Sequence, residues 1–558
     1  MIHKLMGGML ALCLPAFTQI GSVWSQPTII ENVRGYTLGA GGLERFDGLA
    51  FDATGKVISV GKTADLVVEH VAAARIDGNG HVLLPGFTDA HGHIQWLGES
   101  LRSLDLSGAQ TLGDAQEKIS LFAAARPDAT WLTGSGWNQV VWQLGRFPTA
   151  AEIDGVVSDR PVWLTRVDAH AGWANSRAMQ LAGITQDTPD PKGGRIERDA
   201  QGIPTGVLVD AAMALITGVI AQPDERACER ELQAALKHLN AQGLTSVHDA
   251  GVDRQMIRLL RSFADQGRLS LRVYAMIGGA GEDFDALSNQ GPLIGYGNDR
   301  LTVRSVKLYA DGALGSRGAA LFQPYSDDPA NKGLLFDSQR DMERKIGSVL
   351  KAGFQVNVHG IGDAAINQVM DSFEHAFIKF GGRELRNRIE HAQVIATTDI
   401  PRFMDLGLIA SMQPTHATSD MNMAQDRIGS ERLKGAYAWR ALLNQGTKMS
   451  AGSDFPVESA NPFRGLHAAV TRTDHKGNPI AGWQPEQAMT LFEAFRAFTL
   501  DAAYAGHQEI AQGSLEPGKW ADFILIDQDI FAVNPADIWK TRVLQTWVGG
   551  KQVYQAAD

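Results

Sequence analysis

Residues 83–95 read LLPGFTDAHGHIQ: an apolar run, a Pro-Gly turn, and then two histidines, His91 and His93, beside Asp89. On an extended backbone alternate side chains share a face, so both imidazoles can reach one metal ion. A His-x-His pair alone decides little, because surface loops also carry such pairs. Its meaning comes from the stretches that follow it.

Working outward, seven more apolar runs have the same form: LTSVHDAG (244–251), LRVYAMIGG (271–279), VRSVKLYADG (303–312), FQVNVHGIG (354–362), RNRIEHAQV (386–394), LIASMQPTH (408–416) and MSAGSDFPV (449–457). Helical segments such as 341–352 and 363–379 lie between them. Eight apolar strands alternating with helices predict an α/β fold, a (β/α)8 TIM-like barrel, with its chemistry at the strands' C-terminal ends. Polar residues fall at those ends: His248, Lys307, His359, His391, His416 and Asp454. The interval from His91 to Lys307 is about twice what three β/α units need, which places an insert of about 100 residues there.

The flanks read differently. From Pro27 to Val82, and again in GKWADFILID and TRVLQTWVGGKQVYQ, the pattern is short and β-like with Gly and Asp/Asn turns. Neither piece closes a core alone, so both termini are expected to build one small β-sandwich. The expected division is a signal peptide over 1–25, sandwich over 26–82, barrel start over 83–106, an inserted subdomain over 107–205, the rest of the barrel over 206–505, and sandwich again over 506–558. The leader reading rests on His3 and Lys4 ahead of the apolar segment 5–17, too short to span a bilayer comfortably and interrupted by Pro15. It predicts export, to a bacterial periplasm or outside the cell, and no membrane span in the mature chain.

Composition excludes several classes. A net charge of -11 with no Lys/Arg-rich run lacks the electrostatic footprint of nucleic-acid binding, so the expected partner is a small-molecule substrate, with a homodimer as the assembly to test. Of two cysteines, Cys13 lies in the leader and Cys228 reads as a small buried hydrophobe, which leaves no internal disulfide and no thiol mechanism. GGAGEDFD and HGIGDAA lack the G-x-G-x-x-G spacing of dinucleotide sites.

The ordered set HGH, VKLYADG, VNVHGIGD, RIEHAQ and SAGSDFP, with GSLEPGKWADFILID near the end, resembles the amidohydrolase superfamily, in its YtcJ-like (amidohydrolase 3) branch. The resemblance implies a divalent metal, usually zinc, held by His91, His93, Lys307, His359, His391 and Asp454. It implies one ion, or two if Lys307 is carboxylated into a bridging anion. The plain alternative for Lys307 is an ion pair with Asp311. Imidazoles with a carboxylate suit a borderline cation rather than magnesium or calcium.

The expected enzyme is therefore a metal-dependent hydrolase cleaving a C–N bond (amide, N-acyl or N-formyl) by metal-activated hydroxide, with Asp454 as general base and then acid. Ester, lactone or phosphotriester hydrolysis, cyclic-amide hydrolysis, deamination and a non-catalytic binding role are the alternatives. His170 in DAHAGWANS, Trp137 in GSGWN and Arg317 in GSRGAAL are candidate substrate contacts. His248 and His416 are expected to hydrogen-bond behind the ligands. Glu390, next to His391, is expected to point to the other face of its strand as an ion-pair member.

Overall fold

A computed structural model describes residues 26–166, 171–191, 194–220 and 224–557. The eight runs form parallel strands β1 (Phe87–Gly92), β2 (Leu244–Val252), β3 (Arg272–Gly278), β4 (Leu301–Tyr309), β5 (Gln355–Gly360), β6 (Arg388–His391), β7 (Ile409–Met412) and β8 (Met449–Ala451), each paired with the next. These strands are buried on both faces, which is why they read as nearly continuous apolar runs. The helices between them bury one stripe each. In Arg254–Asp265, Met256, Ile257, Leu260 and Phe263 face the barrel, and Asp253 caps the start by accepting from the Met256 N–H.

No ladder joins β1 to β8, the two ends of the strand order. Side chains and short backbone links close that seam. The Asp454 N–H donates to the His91 carbonyl at 2.7 Å, and Gly92 and Phe455 form an isolated bridge. The buried Asp89 carboxylate accepts from the His91 N–H at 3.1 Å, the Ser453 N–H at 3.1 Å and the Ser453 Oγ–H at 2.6 Å. Gly452 permits this approach: a Cβ there would lie 2.5 Å from both Asp89 Oδ1 and His91 N. The barrel is thus fastened at the histidine pair itself.

The termini pair as one sheet ordered Lys551–Gln555, Val543–Val548, Phe523–Ile526, Val82–Pro85, Arg34–Gly39 and Gly42–Phe46, facing a four-stranded sheet drawn wholly from the N-terminal part. Leu49, Leu83, Phe523, Leu525 and Trp547 fill the space between. Arg272 of β3 anchors this sandwich to the barrel through a buried two-point pair with Asp522, at 2.6 and 2.9 Å. Breaking one partner of such a pair costs about 3–5 kcal/mol. Between β1 and β2 a six-stranded sheet runs from Leu104–Asp105 to Pro204–Asp210, reaching slightly past both ends of 107–205, over cores of its own. Among the described residues no helix is long and apolar enough to cross a membrane.

Candidate metal centre

The ends of β1 and β8 meet at Asp454. Its Oδ1 lies 3.1 Å from His93 Nε2 and 3.7 Å from His91 Nε2, and its Oδ2 lies 3.8 Å from His416 Nε2. Asp454 holds a left-handed backbone, φ 61°, as does His391, φ 72°. Non-glycine residues adopt this conformation rarely and at an energetic penalty, so the surrounding structure imposes it where these side chains must be aimed.

The other expected ligands arrive from β4, β5 and β6. His359 and His391 have ring centroids 4.5 Å apart, and His391 lies 4.8 Å from His91. Lys307 is buried and its Nζ donates to His91 Nε2 at 3.0 Å. The proposed pairing of Lys307 with Asp311 does not occur: the Asp311 carboxylate accepts from the backbone N–H groups of Ala320, Ile361 and Gly362. All six sequence-derived ligands therefore converge.

Two acceptors set ring orientation. Glu390 Oε2 accepts from His91 Nδ1 at 2.5 Å, and Gln413 Oε1 accepts from His391 Nδ1 at 2.7 Å. Each leaves an Nε2 lone pair facing the centre. Glu390 thus corrects the alternation argument. The left-handed turn at His391 breaks the period-two pattern, so Glu390 points inward and its neighbour reaches the same centre over the strand's end. The expected ion pair is present, with Arg388 Nε 2.8 Å from Glu390.

Donor chemistry and burial both fit a cation. Burial, and then the Lys307 charge, bring His91 down to about 4 and His359 to about 3, so both are neutral lone-pair donors at pH 7. Among the described residues, His359 Nε2, His416 Nε2 and Asp454 Oδ1 are buried without a hydrogen-bond partner, a condition that ordinarily demands a water or an ion. His93 Nε2 and Asp454 Oδ1 sit 3.1 Å apart yet lack hydrogen-bond geometry, as two ligands of one cation would. Nitrogen and carboxylate oxygen together suit a borderline divalent ion.

The chain matches the Amidohydrolase family over residues 74–554. The chain belongs to this family. YtcJ of Bacillus subtilis (strain 168) is 32% identical to it over 492 residues, covering 86% of this chain and 90% of that one. The N-substituted formamide deformylase of Arthrobacter pascens is 30% identical over 494 residues, covering 86% and 90%. A metal-dependent hydrolase from Pyrococcus horikoshii OT3 superposes with a TM-score of 0.77 at 29% identity, over 91% of this chain and 99% of that one. This amidohydrolase is thus a hydrolase, and its His/Asp clusters suit a divalent metal.

Other expected site residues of the amidohydrolase fall differently. Trp137 is fully buried in the insert's core, where its Nε1–H donates to the Leu164 carbonyl at 2.7 Å and its ring packs on Phe147 and Trp173, so it supports the insert rather than a pocket wall. Arg317 is held by Asp327 at 2.9 Å. His170 lies outside the described residues. His248 hydrogen-bonds as expected, accepting from Arg388 at 2.9 Å. His416, in contrast, stands in the centre itself. Trp96, 53% exposed, stacks on His93 at 4.4 Å, and Tyr309, 41% exposed, lies against His359 at 5.6 Å. A cavity of about 540 Å³ bordered by His81, Asn461 and Arg542 touches none of these residues and lacks their chemistry.

Glu390→Gln should weaken metal binding about 10–100-fold, because the amide holds the His91 proton less firmly and Arg388 loses its anion. Competition with a chelator reads this directly; an unchanged affinity would mean that Glu390 does not set His91.

Proposed function

We propose that this hydrolase cleaves the C–N bond of a linear amide, N-acyl or N-formyl group in a small-molecule substrate. The Asp454 carboxylate carries this reading: it is buried among the histidines, and among the described residues no donor satisfies its Oδ1. An amide nitrogen leaves only when protonated, so one group must take a proton from the attacking water and deliver it to that nitrogen. On this reading Asp454 makes both transfers. Esters and lactones need this delivery less, because alkoxides are better leaving groups. The similarity to a formamide deformylase supports the same bond type.

His91, His93, His359, His391 and Asp454 would hold the cation, which we take to be zinc. When bound it supplies Lewis acidity, acidifying a water and polarising a carbonyl. Around it the protein's own groups fix the geometry: Glu390 and Gln413 hold their histidines' Nδ1 protons, and Trp96 and Tyr309 flank the approach.

Burial lowers the Lys307 ammonium to about 8, leaving a neutral fraction at neutral pH. A neutral Nζ can add to carbon dioxide, forming an N–C bond and releasing a proton to water, to give an anionic carboxylated lysine. On this reading Lys307→Ala loses turnover and short carboxylates partly restore it, whereas Lys307→Arg is not rescued because its guanidinium stays cationic and fills the space. Rescue assays with formate and acetate test this; full activity in Lys307→Ala would remove Lys307 from the centre.

The function is tested by assaying purified protein on N-acyl amino acids, formamides, lactones and phosphotriesters. Release of amine from the first two classes is the expected result; turnover confined to the last two would overturn the bond assignment. We also propose export through residues 1–25, which lie outside the described residues. The mature chain should begin near Gln26 on N-terminal sequencing, and an intact Met1 would contradict this.

A further inference from the structure

Large apolar side chains stand exposed where the strands that carry the centre end. Trp96, in the first turn of the helix Ile94–Arg102, lies nearly face to face with His93, their planes 26° from parallel. Tyr309 is the last residue of β4; His359 packs on its ring, and Lys307 Nζ lies 4.9 Å from the ring centroid. Val457 is held in the turn after β8, where its N–H donates to the Asp454 carbonyl at 2.9 Å. Phe336, also exposed, is tied to the end of β4 by its N–H, which donates to the Ala310 carbonyl at 2.9 Å.

Single exposed apolar residues are ordinary on a protein surface, but several gathered at one rim are not. Trp96, Tyr309 and Val457 each follow a centre residue closely, after His93, Lys307 and Asp454. Because β1 and β4 are not neighbours in the strand order, the two aromatic rings reach the centre from different sides. Steadying His93 uses one face of the Trp96 ring and does not account for the more than half of this residue left open to solvent. Apolar and aromatic walls around a few polar groups are the make-up of small-molecule sites, and in this fold the rim at the strands' C-terminal ends selects the substrate. A substrate carboxylate finds less there. Arg317, the cation that the sequence offers for one, is turned onto Asp327 through Nε at 3.1 Å and Nη2 at 2.9 Å.

We propose that the substrate carries an aromatic or comparably large apolar substituent, without a carboxylate, beside the scissile amide, and that Trp96 and Tyr309 bind that substituent and set the preference for it. The inference rests on the amide-hydrolase reading and narrows it, placing neutral ring-bearing amides ahead of N-acyl amino acids of the same skeleton.

The test uses matched substrates on the zinc-loaded full chain, each in N-formyl and N-acetyl form. The amines are ethylamine, 2-phenylethylamine, alanine and phenylalanine, which vary ring and carboxylate independently; N-ethyl-2-phenylacetamide moves the ring to the acyl side. In the parent the ring, on one side or the other, should raise kcat/KM at least about 10-fold, and the carboxylate should lower it at least about 10-fold. Trp96→Ala and Tyr309→Ala should each cut the ring advantage to below about threefold, whereas Trp96→Phe and Tyr309→Phe, which keep an aromatic face, should retain most of it. Leucine at either position reads the same loss where the alanine variant does not fold. Elemental analysis of each variant separates a lost preference from lost zinc. No ring advantage in the parent, carboxylates that match or exceed their neutral counterparts, or an undiminished ring advantage in either alanine variant would overturn the proposal. So would a uniform loss on every substrate that follows loss of zinc, since Trp96 would then only steady His93. Turnover of the matched ethyl and 2-phenylethyl esters alone would overturn the amide reading instead; the ring comparison among those esters, or by calorimetric binding of the amides where nothing is turned over, still decides this proposal.

Discussion

Asp454→Asn is expected to lower kcat about 1000-fold, within the range by which a positioned general base accelerates proton transfer. The amide keeps the size and the left-handed turn, since Asn tolerates φ near 61°. It cannot accept the water's proton at neutral pH, and it removes the negative charge facing His91, His93 and His416. Metal content should fall with it. Steady-state kinetics beside elemental analysis separates the two losses, because excess zinc would refill the centre without restoring the base. A kcat within tenfold of the parent at full metal content would mean that another group moves the proton.

A large stability effect is expected at Asp89. Asp89→Ala removes the acceptor of the His91 N–H, the Ser453 N–H and the Ser453 Oγ–H at a position only 1% exposed. Each buried donor left without an acceptor costs about 1–3 kcal/mol, and since such terms do not add fully, about 3–5 kcal/mol is expected. Because β1 and β8 share no ladder, the damage falls on the seam that also sets the spacing of His91 and Asp454. Denaturant unfolding of the metal-free protein should show the loss, together with reduced metal content. Parental stability in this variant would mean that the bridge at Gly92 and Phe455 closes the seam unaided.

The barrel is legible because its strands are buried on both faces and most of them end in or next to His, Lys or Asp, residue types that purely structural strands rarely place there. His248, Lys307, His359, His391, His416 and Asp454 stand out at the ends of apolar runs for that reason, whereas the expected ligand set of His91, His93, Lys307, His359, His391 and Asp454 comes from the family resemblance of the motifs around them. What was hidden depends on local backbone geometry or on partners far away in sequence. Glu390 was assigned the wrong direction because period-two reasoning has no access to the left-handed turn at His391. His416 sits on a helix rather than a strand, and only the fold brings its Nε2 beside Asp454. Asp89 meets Ser453 across the whole length of the barrel sequence, so no local pattern announces the seam. Trp137 misled because a tryptophan beside Gly and Asn reads equally well as a pocket wall or as core, and burial decides for core.

The most direct test of the central claim is hydrolysis before and after metal removal. Protein dialysed against a chelator should lose nearly all turnover of its amide or formamide substrate, and zinc titrated back should restore turnover in proportion to ions bound at the His91, His93, His359, His391 and Asp454 cluster. Full activity in protein shown by elemental analysis to be metal-free would contradict it.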